Sequence, residues 1–223
     1  MNTTTIPRMP TLYIPHGAGP CFFMDWNPAD AWDKTAAYLR GIPAGLPARP
    51  QAIVLVTAHW LSAQPSMSAA ARPGMLFDYY GFPPHTYELS YPAPGAPALA
   101  GRVSGLLAGA GFDPVQDGER GYDHGTFIPL KVAFPDADIP VLQLSLLHSL
   151  DAAEHIRLGR ALRPLRDEGV LIIGSGMSYH NMRGYGDPRS PPVAAEFDRW
   201  LAETVALPPA ERDARLADWA TAS

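Results

Sequence analysis

The stretch "AIVLVTAHW" (Ala52–Trp60) decides the fold of this chain. Its apolar residues run almost without interruption, which marks a strand buried on both faces, as in a parallel sheet covered by helices. It ends on His59, a residue that titrates near neutrality and binds metals. Working outward, "IPVLQLSLL" (139–147) and "GVLIIGSG" (169–176) have the same character, "TLYIP" (11–15) is a shorter strand, and "SMSAAA" (66–71) is a further candidate. Helical patterns separate them at 28–41, 96–111 and 150–169, and two more close the chain at 191–206 and 209–219. Strands alternating with helices predict an α/β fold, a central mostly parallel sheet with helices on both faces.

The helix at 150–169 is the most detailed of these expectations. Asp151 and Glu154 have capping-box spacing, and Leu158, Ala161, Leu162 and Leu165 share one face. Pro164 conflicts with the pattern and should bend or shorten the helix. The stretch "GMLFDYYGFPPHTYELSYPAPG" (74–95) is too irregular for a helix and too long for a simple connection, the profile of a functional loop. Its Phe77, Tyr79, Tyr80, Phe82 and Tyr87 are candidates to wall a flat ligand.

Composition narrows the classes. The 223 residues are 47% hydrophobic, enough for one core, and 1–223 is read as a single catalytic domain. A net charge of −5 with no basic clustering argues against nucleic-acid binding. One cysteine, Cys21, excludes a disulfide framework and a cysteine-rich zinc site, and fits a reducing compartment. The opening "MNTTTIPRMP" lacks a signal-peptide layout and no apolar run reaches membrane-spanning length, so the expected setting is cytoplasmic, with no membrane partner.

The chain has seven histidines, and four of them follow strand-like runs: His16 after "TLYIP", His59 after "IVLVTA", His148 after "VLQLSLL" and His180 past "VLIIGSGMSY". Carboxyl ends of parallel strands share one edge of the sheet, where ligands bind, so these rings are expected to converge on a metal or acid–base site. His16 opens "PHGAGP", whose glycines allow close backbone approach, and His124 sits in "YDHGTFIPL" beside an acid. His155 is read as a packed or solvated helix residue, and His85 belongs to the aromatic loop. Clustered imidazoles do not select among Zn, Fe, Cu and Ni. "GSGMS" lacks the central serine of a nucleophile elbow, so a serine hydrolase has little support.

Taken in order, "PHGAGP", "VTAHW", "DYYGFPPHTYELSYPAPG", "DHGTFIPL", "QLSLL" and "GSGMSYHN" resemble the class III extradiol ring-cleavage dioxygenases, in their DOPA 4,5-dioxygenase-like branch. The resemblance covers essentially the whole chain. It implies a non-haem Fe(II) site at the strand carboxyl ends, with zinc able to occupy it in some members. It also implies opening of a catechol-type ring by O2 to a muconic semialdehyde-type product. By motif, His16 and His59 are the expected metal ligands, His180 the catalytic acid–base, and His124 a neighbour that hydrogen-bonds substrate or oxygen. His148 matches no motif of the family.

One departure stands out. Members of this branch carry a third metal-binding histidine near the C-terminus, in a segment resembling "REEHLLPL", whereas these 223 residues run to "RLADWATAS" without it. Three readings stay open: the ligand lies in a segment outside this sequence, His124 or His180 replaces it, or catalysis has been lost. The alternatives to an oxygenase are a non-catalytic relative that binds a metal or ligand in binding or signalling, and, with less support, a zinc hydrolase.

Overall fold

The computed structural model describes residues 6–184 and 186–221. Six strands form one sheet: β1 (Thr11–Ile14), β2 (Ala52–Ser62), β3 (Ser66–Ser68), β4 (Val115–Asp117), β5 (Val141–Leu147) and β6 (Val170–Ser175). Their order across the sheet is β1-β6-β2-β5-β3-β4. β1, β6, β2 and β5 pair in parallel, β3 meets β5 antiparallel, and β4 runs parallel to β3. The expected mostly parallel α/β sheet is what forms.

Both faces are covered, and the strands show it residue by residue. Ile53 and Leu55 of β2 enter one core cluster and Val54 enters the other, because successive strand side chains point to opposite faces. The first cluster holds Leu39 of α1 (Asp33–Gly41) and Phe127, Ile128 and Leu130 of α3 (His124–Ala133). The second holds Val103 and Leu107 of α2 (Pro97–Gly109) with Leu158 and Leu162 of α4 (Ala152–Leu162). Two later helices, α5 (Ser190–Val205) and α6 (Pro209–Ala217), close the described chain, and α6 is tied to α4 by an Arg160–Asp213 ion pair at 2.6 Å.

Several boundaries differ from the sequence reading for physical reasons. The helix expected over 28–41 begins only at Asp33, after a turn that follows a cis Asn27–Pro28 bond. The helix expected over 150–169 ends as an α-helix at Leu162 and tightens into a 3-10 turn from Arg163 to Glu168, where Pro164 cannot donate to the α ladder. Its N-cap is as expected, with the Asp151 carboxylate accepting from the Glu154 backbone N–H at 2.7 Å. The strand expected over 66–71 keeps only Ser66–Ser68. β2 is longer than expected and carries His59 within it rather than beyond it.

Register sets up the site. Ile14 of β1 and Thr57 of β2 both pair with Ser175 of β6, so these three residues lie on one level of the sheet. His16 and His59 each follow that level by two residues, His16 just past the end of β1 and His59 within β2, the two strands that flank β6.

Candidate metal centre

His59 is aimed by an irregularity in its own strand. The β2–β5 ladder breaks between Val56 and Leu61, and such a bulge re-aims side chains. The break is held by a polar chain leading to α3. The His59 backbone N–H donates to Thr57 Oγ1 at 3.1 Å, and Thr57 Oγ1 donates to Asp123 Oδ1 at 2.8 Å. Asp123, fully buried, caps α3 by accepting from the Thr126 backbone N–H at 3.1 Å. Burial pushes the Asp123 carboxyl up, against the pull of Thr57 and Arg120. Arg120 donates to Asp123 Oδ2 at 3.2 Å and to the His59 carbonyl at 3.3 Å, with its guanidinium 4.4 Å from the centre of the Trp60 ring.

α3 was not anticipated, because Pro129 lies inside it and nearly all its residues are buried, which erases an amphipathic period. Its first residue is His124. Gly125 explains the "DHG" motif: a Cβ there would lie 2.6 Å from Thr57 Oγ1 and 2.9 Å from His59 Cδ2, so only glycine lets the helix start come this close to β2. At the other side, Gly17 sits at φ +83°, a left-handed turn that follows His16 directly.

These elements bring His16, His59 and His124 together, with one ring nitrogen from each within 4.8 Å of the others. His16 Nε2 and His59 Nε2 are 3.0 Å apart. The Nδ1 side of each ring faces an oxygen. His124 Nδ1 bonds Asp78 Oδ1 at 2.8 Å, His59 Nδ1 faces Asp78 Oδ2 at 3.6 Å, and His16 Nδ1 lies 3.4 Å from Ser175 Oγ. Ser175 gives its own proton to the Gly125 carbonyl, which leaves Oγ free to accept. Burial, reinforced by the neighbouring imidazoles, pulls the His16 pKa down to about 3 and that of His59 to about 4. Both rings are therefore neutral at pH 7.

That donor set fits a divalent metal. His16 Nε2 and His59 Nε2, 3.0 Å apart, can both turn a lone pair to one cation when each ring carries its proton on Nδ1. Two nitrogens each about 2.1 Å from one ion are about 3.0–3.4 Å apart for angles from square to tetrahedral. Neutral imidazoles are the ligating form.

The other histidines divide as their surroundings dictate. His180 is exposed but lines the same cavity of about 730 Å³ as His16, His59 and His124. His148 is exposed and stands outside that cavity lining, and its backbone N–H donates to Ser62 O at 2.8 Å. His155 is a structural link: Nδ1 donates to Asp151 O at 2.7 Å and Nε2 accepts from the Leu147 backbone N–H at 3.0 Å. His85 contacts Phe23 O at 3.1 Å and also lies outside the cavity lining. Of the five loop aromatics, Tyr79, Tyr80 and Phe82 line the cavity, while Phe77 and Tyr87 pack against the first core cluster. Asp78, between them, escaped the sequence reading. Its only signal was an acid inside an otherwise aromatic run.

The family described as the catalytic LigB subunit of aromatic ring-opening dioxygenase matches residues 10–210. The chain belongs to the LigB family. This bears out the extradiol dioxygenase resemblance and places the histidine cluster in a metal-dependent family. Among LigB-type relatives, a 4,5-DOPA dioxygenase extradiol from Beta vulgaris is 48% identical over 157 residues, 69% of this chain and 58% of that protein. A dioxygenase tasH from Hapsidospora irregularis is 51% identical over 144 residues, 64% of this chain and 44% of its own length. A 4,5-DOPA dioxygenase extradiol from Escherichia coli (strain K12) is 40% identical over 199 residues, 87% of this chain and 69% of that protein. The chain thus spans about half the length of the first two relatives. A crystal structure of an uncharacterized protein from Escherichia coli K12 superposes with a TM-score of 0.70 at 34% identity, covering 94% of this chain and 78% of that one. Among the described residues no helix is long and apolar enough to cross a membrane.

Proposed function

We propose that the protein is an extradiol dioxygenase that opens a catechol-type ring with O2 to a muconic semialdehyde-type product, using Fe(II), with zinc able to take the same site. The observation that carries this reading is the convergence of neutral His16 and His59 on the wall of a cavity large enough for a small aromatic diol. Family membership and the names of the dioxygenase relatives support it. A cytoplasmic setting belongs to the same reading, supported by the single, buried thiol of Cys21.

In this mechanism His16 and His59 would hold the metal. When bound, a divalent ion there supplies Lewis acidity that lowers the pKa of a coordinated hydroxyl, and iron supplies electrons toward oxygen. His180, exposed on the cavity wall, takes the proton released from the diol and returns it as the ring opens, a role an imidazole can fill because it both accepts and donates a proton. His124, beside the two ligands, contacts substrate or oxygen. Tyr79 and Phe82 give a flat ring apolar walls.

The test is oxygen uptake on admitting air to anaerobic, Fe(II)-loaded protein with a panel of catechols, together with appearance of a yellow product. Metal uptake with no oxygen consumed by any catechol would overturn the oxygenase reading in favour of a binding relative. His180→Ala is expected to abolish turnover while leaving metal content near the native level. Loss of metal in that variant would make His180 a ligand and sink the assigned role.

A further inference from the structure

We infer that Asp78 is a positioning residue for the metal centre, restraining the ring of the ligand His59 and that of its neighbour His124. This rests on the reading of the histidine cluster as a metal site. Asp78 Oδ1 accepts twice from one residue, from the His124 backbone N–H at 2.9 Å and from His124 Nδ1 at 2.8 Å. Oδ2 faces His59 Nδ1 at 3.6 Å, too long for a hydrogen bond but close enough for an electrostatic contact. A single carboxylate thus lies behind both rings, on the Nδ1 side of each. Carboxylates behind ligating imidazoles fix the tautomer, restrain the ring and raise its basicity toward the metal.

The loop that carries Asp78 is built to hold it there. The Leu76 backbone N–H donates to Tyr122 O at 2.8 Å and the Tyr122 N–H donates to Gly74 O at 2.8 Å, which pins the loop to the residues just before α3. Gly121 permits that approach, since a Cβ would lie 2.7 Å from Gly74 O. On the far side, Tyr79 donates its hydroxyl to Thr86 O at 2.6 Å and sets its ring edge-on to His124, with centroids 5.7 Å apart. Asp78 is therefore restrained from both neighbours while its own carboxylate is spent on the histidines.

The experiment is zinc affinity, measured by competition with a chromophoric chelator, for the native chain and for Asp78→Ala and Asp78→Asn. The expected loss is about 10- to 100-fold for the alanine variant. The asparagine variant keeps an oxygen able to accept from His124 but no charge, and is expected to lose less, roughly tenfold. In cobalt-loaded protein the visible bands should shift in Asp78→Ala, a change that a purely structural role would not produce. A folded Asp78→Ala protein that binds zinc within about twofold of native overturns the assignment, and if that variant does not fold, unchanged affinity in Asp78→Asn does so. A native chain that takes up no divalent metal would instead break the metal-site reading itself, so the two failures are distinguishable.

Discussion

β2 and β5 lie side by side and run the same way, β2 carrying His59 within it and β5 leading into His148, yet only His59 reaches the site. Leu147, the last residue of β5, pairs with Ser62, which is already three residues past His59. His148 follows one residue beyond that level, past the broken stretch of β2 that holds His59. It is exposed, and its backbone N–H donates to Ser62 O. His59 sits inside a broken stretch of ladder, with Thr57, Asp123 and Arg120 fixing its backbone and Asp78 behind its ring. Ending a strand is not what makes a histidine functional. Its level in the sheet and the groups behind it do.

The largest expected effect breaks this contrast open. His59→Ala should abolish stoichiometric metal binding and with it any turnover, whereas His148→Ala should leave metal affinity within about twofold of native, as surface substitutions generally do. Metal titration of the two variants checks both, and a comparable loss in His148→Ala would erase the distinction.

Gly125→Ala probes the support of His59 rather than its ring. The added Cβ collides with Thr57 Oγ1 and His59 Cδ2, so a destabilisation of about 1–3 kcal/mol is expected, with weaker metal binding. Denaturant unfolding with metal titration reads both, and an unperturbed metal site would show that β2 tolerates displacement by α3.

The smallest effect lies at the β5 end. His155→Ala removes the acceptor of the Leu147 N–H and should cost about 1–2 kcal/mol in stability while metal affinity stays native. A change in metal affinity would connect the β5 end to the site after all.

The legible part of the molecule was the part written in local pattern. Continuous apolar runs marked β2, β5 and β6, and the helices between them implied a parallel sheet with one ligand-binding edge. The resemblance drew attention to His16, His59, His124 and His180, and all four line one cavity. What stayed hidden depended on contacts across the chain. α3 has no polar face to reveal it, and β4 is only Val115–Asp117 on the sheet margin. His148 satisfied the strand-end pattern because a sequence does not carry the register that carries it past the site. Asp78 meets His124 across 46 positions, a pairing that no local spacing encodes.

The claim at the centre is that imidazoles from separate segments share one ion. X-ray absorption on the zinc-loaded chain tests it most directly. A single zinc with at least two imidazole nitrogens at about 2.0–2.1 Å is expected in the native chain and in His148→Ala, and no such imidazole-ligated zinc in His59→Ala. A first shell of oxygen alone, or one unchanged by His59→Ala, would contradict it.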